Sequence, residues 1–90
     1  MKIKTVFDFN RALDAGAYAW PGGYPYFYVM ADGEALSVEA ANENAGLIRD
    51  SIIGDLRDGW HAVELAINWD DVGLYCAHTG QRIAPAYGDD

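Results

Sequence analysis

Ninety residues with 51% apolar and 13% aromatic side chains make a single domain, residues 1–90, with enough apolar matter for a core, which excludes a wholly disordered chain. Fourteen Asp and Glu against six Lys and Arg leave a net charge of −8, which excludes the basic patch on which nucleic-acid binding rests and argues against an anionic membrane surface. No apolar run reaches the roughly 18 residues of a membrane span, Lys2, Lys4, Asp8 and Asn10 break any signal-peptide apolar region, and the single Cys76 has no internal disulfide partner, so an intracellular chain is expected.

The first expected element is a helix over Val6–Ala15. Thr5 is its N-cap, Asp8 takes the place of the capping-box glutamate, Phe9, Ala12 and Leu13 fall at helical spacing, and Gly16 ends it. Trp20-Pro21-Gly22-Gly23-Tyr24-Pro25 reads as a rigid turn region. Two strands follow, Tyr26–Met30 and Glu34–Ser37, joined at Asp32-Gly33, a strong hairpin signal between alternating runs. Alternation puts Phe27 and Val29 on one face, expected to be the core face. It puts Tyr24, Tyr26, Tyr28 and Met30 on the other, an aromatic face open to solvent or a partner.

Ser37 then caps a longer helix over Val38–Ile53, with Ala41, Ala45, Ile48, Ile52 and Leu56 as the apolar stripe. Trp60–Trp69 is the best strand in the chain, with His61, Val63, Leu65 and Ile67 inward and Trp60, Glu64 and Asn68 outward. Asp70–Gly73 is a turn. Leu74–Cys76 and Arg82–Ile83 are short extended pieces around a turn at His78–Gln81, and the tail Gly88–Asp90 is expected to fray. The order α-β-β-α-β-β implies an α+β domain: an antiparallel sheet of three or four strands with two helices packed on one face. The expected core is Phe9, Leu13, Phe27, Val29, Ile48, Ile52, Val63, Leu65 and Ile67.

Enzyme signatures are lacking. There is no Walker A, G-x-G-x-x-G or G-x-S-x-G motif, and Cys76 with His61 or His78 is too unspecific a pairing to assign catalytic residues, so a non-enzymatic chain is expected. Cys76-Ala77-His78-Thr79-Gly80 has the outline of a zinc knuckle with Thr79 in place of the second thiolate. Cys76, His78 and His61 supply three ligands at most where zinc takes four, so no metal and no cofactor is expected.

What remains is a surface for a partner. Tyr24, Tyr26 and Tyr28 on one sheet face, with Glu34 on the paired strand and Glu64 on a third, combine interface-type aromatics with carboxylates suited to Arg and Lys. Glu39, Glu43 and Asp50 form a row on the second helix, ~6 Å and ~10 Å apart along its axis, like phosphates along a nucleic-acid strand. These eight residues are the expected partner-binding set.

Phe7-Asp8-Phe9, Arg11–Gly16, Trp20–Pro25, Ala31–Ser37 and above all Tyr75-Cys76-Ala77-His78-Thr79-Gly80-Gln81-Arg82-Ile83 with Ala86-Tyr87 resemble a family of small acidic proteins of phages and mobile elements, some of them similar to anti-CRISPR proteins that act on type I systems. The resemblance implies an inhibitor at work in the cytoplasm of a bacterial host. Its partner would be a basic DNA-binding subunit of a type I CRISPR surveillance complex, whose target-DNA (PAM or duplex) binding it would block by acidic mimicry. With the net charge of −8, no direct contact with nucleic acid and no membrane are expected, and a monomer is expected. The alternative is an accessory or regulatory domain of a mobile element with a vestigial zinc-knuckle-like turn at Cys76.

Overall fold

The computed structural model describes residues 1–87; the tail expected to fray, Gly88–Asp90, lies outside the described residues. In chain order the elements are α1 (Val6–Ala15), β1 (Tyr18–Ala19), β2 (Tyr24–Met30), β3 (Ala35–Ser37), α2 (Val38–Glu43), α3 (Ala45–Ile53) and β4 (Ala62–Ile67). The fold is α+β, with helices on an antiparallel four-stranded sheet. It differs from the expected order in three ways: the two-residue β1 is added, the second helix is divided, and no strand follows β4 among the described residues. Leu74–Ile83 instead forms a hairpin held by the Tyr75–Arg82 bridge, with Cys76 N–H donating to the Gln81 carbonyl and Gly80, at φ 74°, closing the turn onto the Cys76 carbonyl.

α1 begins where the sequence places it. The Thr5 hydroxyl accepts from the Asp8 amide at 3.2 Å, while the Asp8 carboxylate accepts from the Thr5 amide at 3.2 Å and the Lys4 amide at 2.9 Å. These are amides that a helix N-terminus leaves without partners. The Lys4 amide, then the other hydrogen bonds, hold the Asp8 carboxyl below its ordinary pKa.

β2 is the central strand. One edge carries β4, in the register Tyr28↔Leu65, with a bulge between Val29 and Met30. The other edge carries β3, in the register Tyr28↔Leu36, and β1, in the register Tyr18↔Pro25. β1 and β3 therefore share one edge and leave a notch at Tyr26. Outside β4 runs the N-terminus: Ile3 N–H donates to the Val63 carbonyl, and Leu65 N–H to the Met1 carbonyl.

Directly paired residues share a face, so Tyr28, Leu36 and Leu65 point the same way. All three are buried with Phe9 of α1 and Ile48 and Ile52 of α3, and the Phe9 ring meets Tyr28 edge-on at 5.8 Å. The core therefore lies on the Tyr28 and Met30 face of β2, opposite to expectation. Phe27, Val29, Val63 and Ile67 are half-buried rather than central, and Leu13 packs at the core's margin. The second face is not open throughout. Asn68, expected to point outward, is buried and donates from Nδ2 to the carbonyls of Ile83 and Asp71, which draws the C-terminal segment back onto the sheet.

The helix expected over Val38–Ile53 is broken at Asn44, at φ −117° and ψ 25°. Its side chain donates to the Ala40 carbonyl at 2.8 Å, the local competition with helical bonding that disfavours Asn inside helices. Ser37 caps α2 as expected, accepting from the Ala40 amide.

Candidate partner-binding surfaces

The eight residues expected to bind a partner do not form one surface. Tyr28 is 0% exposed and belongs to the core, which removes it from any interface. Tyr26 and Glu39 come together in the notch between β1 and β3, a recess of about 170 Å³ also lined by Tyr18 and Arg82. Glu64 faces the N-terminal edge, where its carboxylate pairs with Lys2 at 3.2 Å. Glu43 and Asp50 are exposed, but the break at Asn44 puts them on different helices, so the straight row expected of Glu39, Glu43 and Asp50 ends at Glu43. Glu34 sits in the turn before β3 rather than within it, and Tyr24 joins an aromatic cluster.

Glu34 lines a recess at the other end of β2. Because β2 runs antiparallel to β4, the end of β2 meets the start of β4: Ala31 N–H donates to the His61 carbonyl at 2.7 Å. That brings the hairpin turn Ala31–Glu34 against the loop before β4. The resulting groove, about 360 Å³, has Met30, Leu36 and Trp60 as apolar walls and Asp32, Glu34 and Asp58 as carboxylates. His78, from the C-terminal hairpin, meets the Trp60 ring edge-on at 5.2 Å and completes the lining. Asp32 Oδ1 is fixed by the Glu34 amide at 3.0 Å, and a Cβ on Gly59 would stand 3.2 Å from Asp32 Oδ2, so glycine lets that carboxylate close in.

Asp58 is fixed more firmly still, since its Oδ1 accepts from the Ser51 hydroxyl at 2.7 Å and the Trp60 amide at 2.9 Å. The Ser51 hydroxyl, then that amide, hold its carboxyl below the ordinary range. Ser51, Asp58 and His61 meet here, yet His61 Nδ1 is bonded to the Leu56 carbonyl at 2.6 Å and the Ser51 hydroxyl points at Asp58 and Leu56. The trio ties down the loop after α3. A carboxyl whose pKa is lower folded than unfolded stabilises the fold above its unfolded pKa, and that contribution fades as pH falls through the folded value. Asp58→Asn should therefore unfold at lower urea than the parent at pH 7, with the gap between the two midpoints narrowing as pH falls below the ordinary carboxylate range; urea titrations at pH 7 and across the acid range check this.

A second surface, at the far end of β2, is aromatic. Tyr24 packs on Trp69 at 4.8 Å between ring centres and on Tyr87 at 6.1 Å, and Trp69 and Tyr87 stack at 12°. A Cβ on Gly22 would lie 2.5 Å from the Tyr24 ring, so that ring rests directly on the glycine backbone. Trp20 is 79% exposed beside the cluster's turn, and Trp69 and Tyr87 are also exposed, with Asp70 and Asp71 following Trp69. The sequence reading missed Asp32, Asp58, Trp60, Trp69 and Tyr87. The first three meet only through the antiparallel pairing of β2 with β4, which no local pattern of the sequence signals.

Cys76 is buried, and its Sγ accepts from the Ser37 amide at 3.3 Å. Burial pushes the thiol up, but the Ser37 amide and the Thr79 hydroxyl and amide more than offset this and bring it to about 7. The turn after Cys76 thus directs donors at sulfur, as a knuckle does. Among the described residues, no cluster of three or more His, Cys, Asp or Glu could hold a metal ion. No helix among them is long and apolar enough to cross a membrane.

Comparison of the chain with protein-family models, curated proteins and solved structures finds no match.

Proposed function

We propose that the chain is a non-enzymatic binding protein that occupies a basic, nucleic-acid-binding site on a protein partner. The observation that carries this reading is the groove in which Asp32, Glu34 and Asp58 surround Trp60, Met30 and Leu36. An Arg or Lys stem packs on apolar walls while its charged head meets carboxylates, and Trp60 adds a cation–π surface. The net charge of −8 steers such a partner in, and the exposed Trp20, Trp69 and Tyr87 offer further anchors. The partner in this reading, which rests on the resemblance of the Tyr75–Tyr87 segment, is a basic DNA-binding subunit of a type I CRISPR surveillance complex, with target DNA excluded by the acidic occupant.

Binding kinetics on an isolated type I complex at two salt concentrations, beside a gel for DNA loading, test the proposal. Glu34→Lys should weaken binding about tenfold, roughly 1.4 kcal/mol, mainly through slower association and a flatter salt dependence. Trp60→Ala should instead speed dissociation, with circular dichroism confirming that the variant folds. If the protein binds while target DNA still loads, occupation of the DNA site is wrong. If it fails to bind the complex but captures an Arg-rich peptide in a Glu34-dependent way, the groove stands and the partner is another.

A further inference from the structure

Half of the acidic chain's Lys and Arg meet in one place. Lys2, Lys4 and Arg57 are three of its six Lys and Arg, and together with His61 they line a single cleft of about 490 Å³ between the N-terminal edge of the sheet and the loop after α3. The remaining lining is Ile3, Ile52 and Val63, plus one carboxylate, Asp55. The His61 ring is 6% exposed and held by its Nδ1 contact with the Leu56 carbonyl, so its orientation toward the cleft is set before any ligand arrives. Ile3 is fixed by the edge pairing of the N-terminus with β4, which places the cations at positions 2 and 4 on either side of it.

We propose that this cleft binds a small organic oxyanion, a phosphate monoester or carboxylate with a short apolar body. Lys4 is the free cation of the set: among the described residues its ammonium has no carboxylate partner. Lys2 pairs with Glu64 at 3.2 Å and Arg57 with Asp55 at 3.4 Å, but these side chains are 73% and 66% exposed. Exposed pairs of this kind are worth about 0–1 kcal/mol, so a ligand displaces them at small cost. The oxyanion sits among the cations, and the apolar body rests on the half-buried Val63, since Ile3 and Ile52 behind it are already buried in the core. The net charge of −8 opposes long-range attraction of an anion, so recognition is local and needs the apolar contact as well as the charge. This site adjoins the Asp32–Glu34–Asp58 groove through Asp58, whose carbonyl accepts from the His61 amide, but it does not depend on the partner proposed above.

Titrations of the full chain, followed by amide and imidazole NMR shifts, use monobutyl phosphate, pentanoate and inorganic phosphate as probes, with sodium chloride matched for ionic strength. Saturable shifts confined to residues 2–4, Arg57 and His61 are expected for at least one of the two butyl-bearing probes, severalfold tighter than for inorganic phosphate. The stronger of the two arms identifies the ligand as phosphate or carboxylate. Lys4→Glu and Arg57→Glu should each weaken binding about tenfold without moving Tm by more than a degree or two, and Lys4→Gln should fall between. Shifts that follow ionic strength alone, shifts equally large at Arg11, Arg49 and Arg82, or variants that bind as tightly as the parent overturn the proposal.

Discussion

Phe9→Ala should lose about 3–5 kcal/mol, the usual cost of emptying an aromatic site in a core that relaxes only in part. Phe9 is fully buried, its ring meets Tyr28 edge-on, and the Arg49 guanidinium lies 5.9 Å from its centre on the other element it touches, α3. Arg49 is itself held by Asn10 of α1 at 3.0 Å, so one ring joins α1 to both the sheet and α3. A 90-residue domain has on the order of 5–13 kcal/mol in all, so the variant should sit near its unfolding threshold at 37 °C. In urea the midpoint should fall sharply with the slope unchanged. Phe9→Leu, which keeps most of the volume, should cost less than half as much. A loss below about 1 kcal/mol for the alanine variant would mean that α1 is not seated on the sheet as described.

The contrast between what could be read from the chain and what could not follows the range of the interactions. Thr5 with Asp8, Asp32 with Gly33, and Ser37 before Val38 act within four residues, and each produces the expected cap or turn. The face of β2 is a different matter. Tyr26, Tyr28 and Met30 alternate with Phe27 and Val29, and both sets are apolar, so period two sorts the residues without saying which set meets the helices. That is decided by Phe9 and Leu65, from 19 residues before Tyr28 and 37 after it. Asn44 shows the reverse limit. The apolar stripe from Ala41 to Ile52 continues through it, yet Asn44 leaves the helical conformation, its side chain joining its own amide on the Ala40 carbonyl. For the candidate groove, charge and aromatic content were legible as inventory. Their meeting was not, because Asp32 and Trp60 approach only through the pairing of β2 with β4. The Met1–Ile3 edge carries no strand-like run long enough to announce itself, yet its pairing with β4 positions the basic cleft.

Tyr28→Phe should stabilise the protein, by about 1–3 kcal/mol, the cost of leaving a buried polar group without a partner. The Tyr28 hydroxyl is buried and has no hydrogen-bond partner among the described residues, while its ring is at the centre of the core. Burial pushes its pKa up to about 12, because the phenolate would be desolvated there. Phenylalanine keeps the ring and its edge contact with Phe9 and removes only the orphaned oxygen. The alkaline behaviour supplies an independent check. A group whose pKa is higher folded than unfolded stabilises the fold below its unfolded value, here near 10, and that contribution is lost as pH rises through the folded value. The parent should therefore lose stability between about pH 10 and 12 through this residue, and Tyr28→Phe should lose less over the same window. Urea midpoints at pH 7, 10 and 11.5 for both proteins read out both effects. A variant less stable than the parent at pH 7 would mean that the hydroxyl has a partner in solution, such as a buried water, and that the core of this small domain is built around a polar contact.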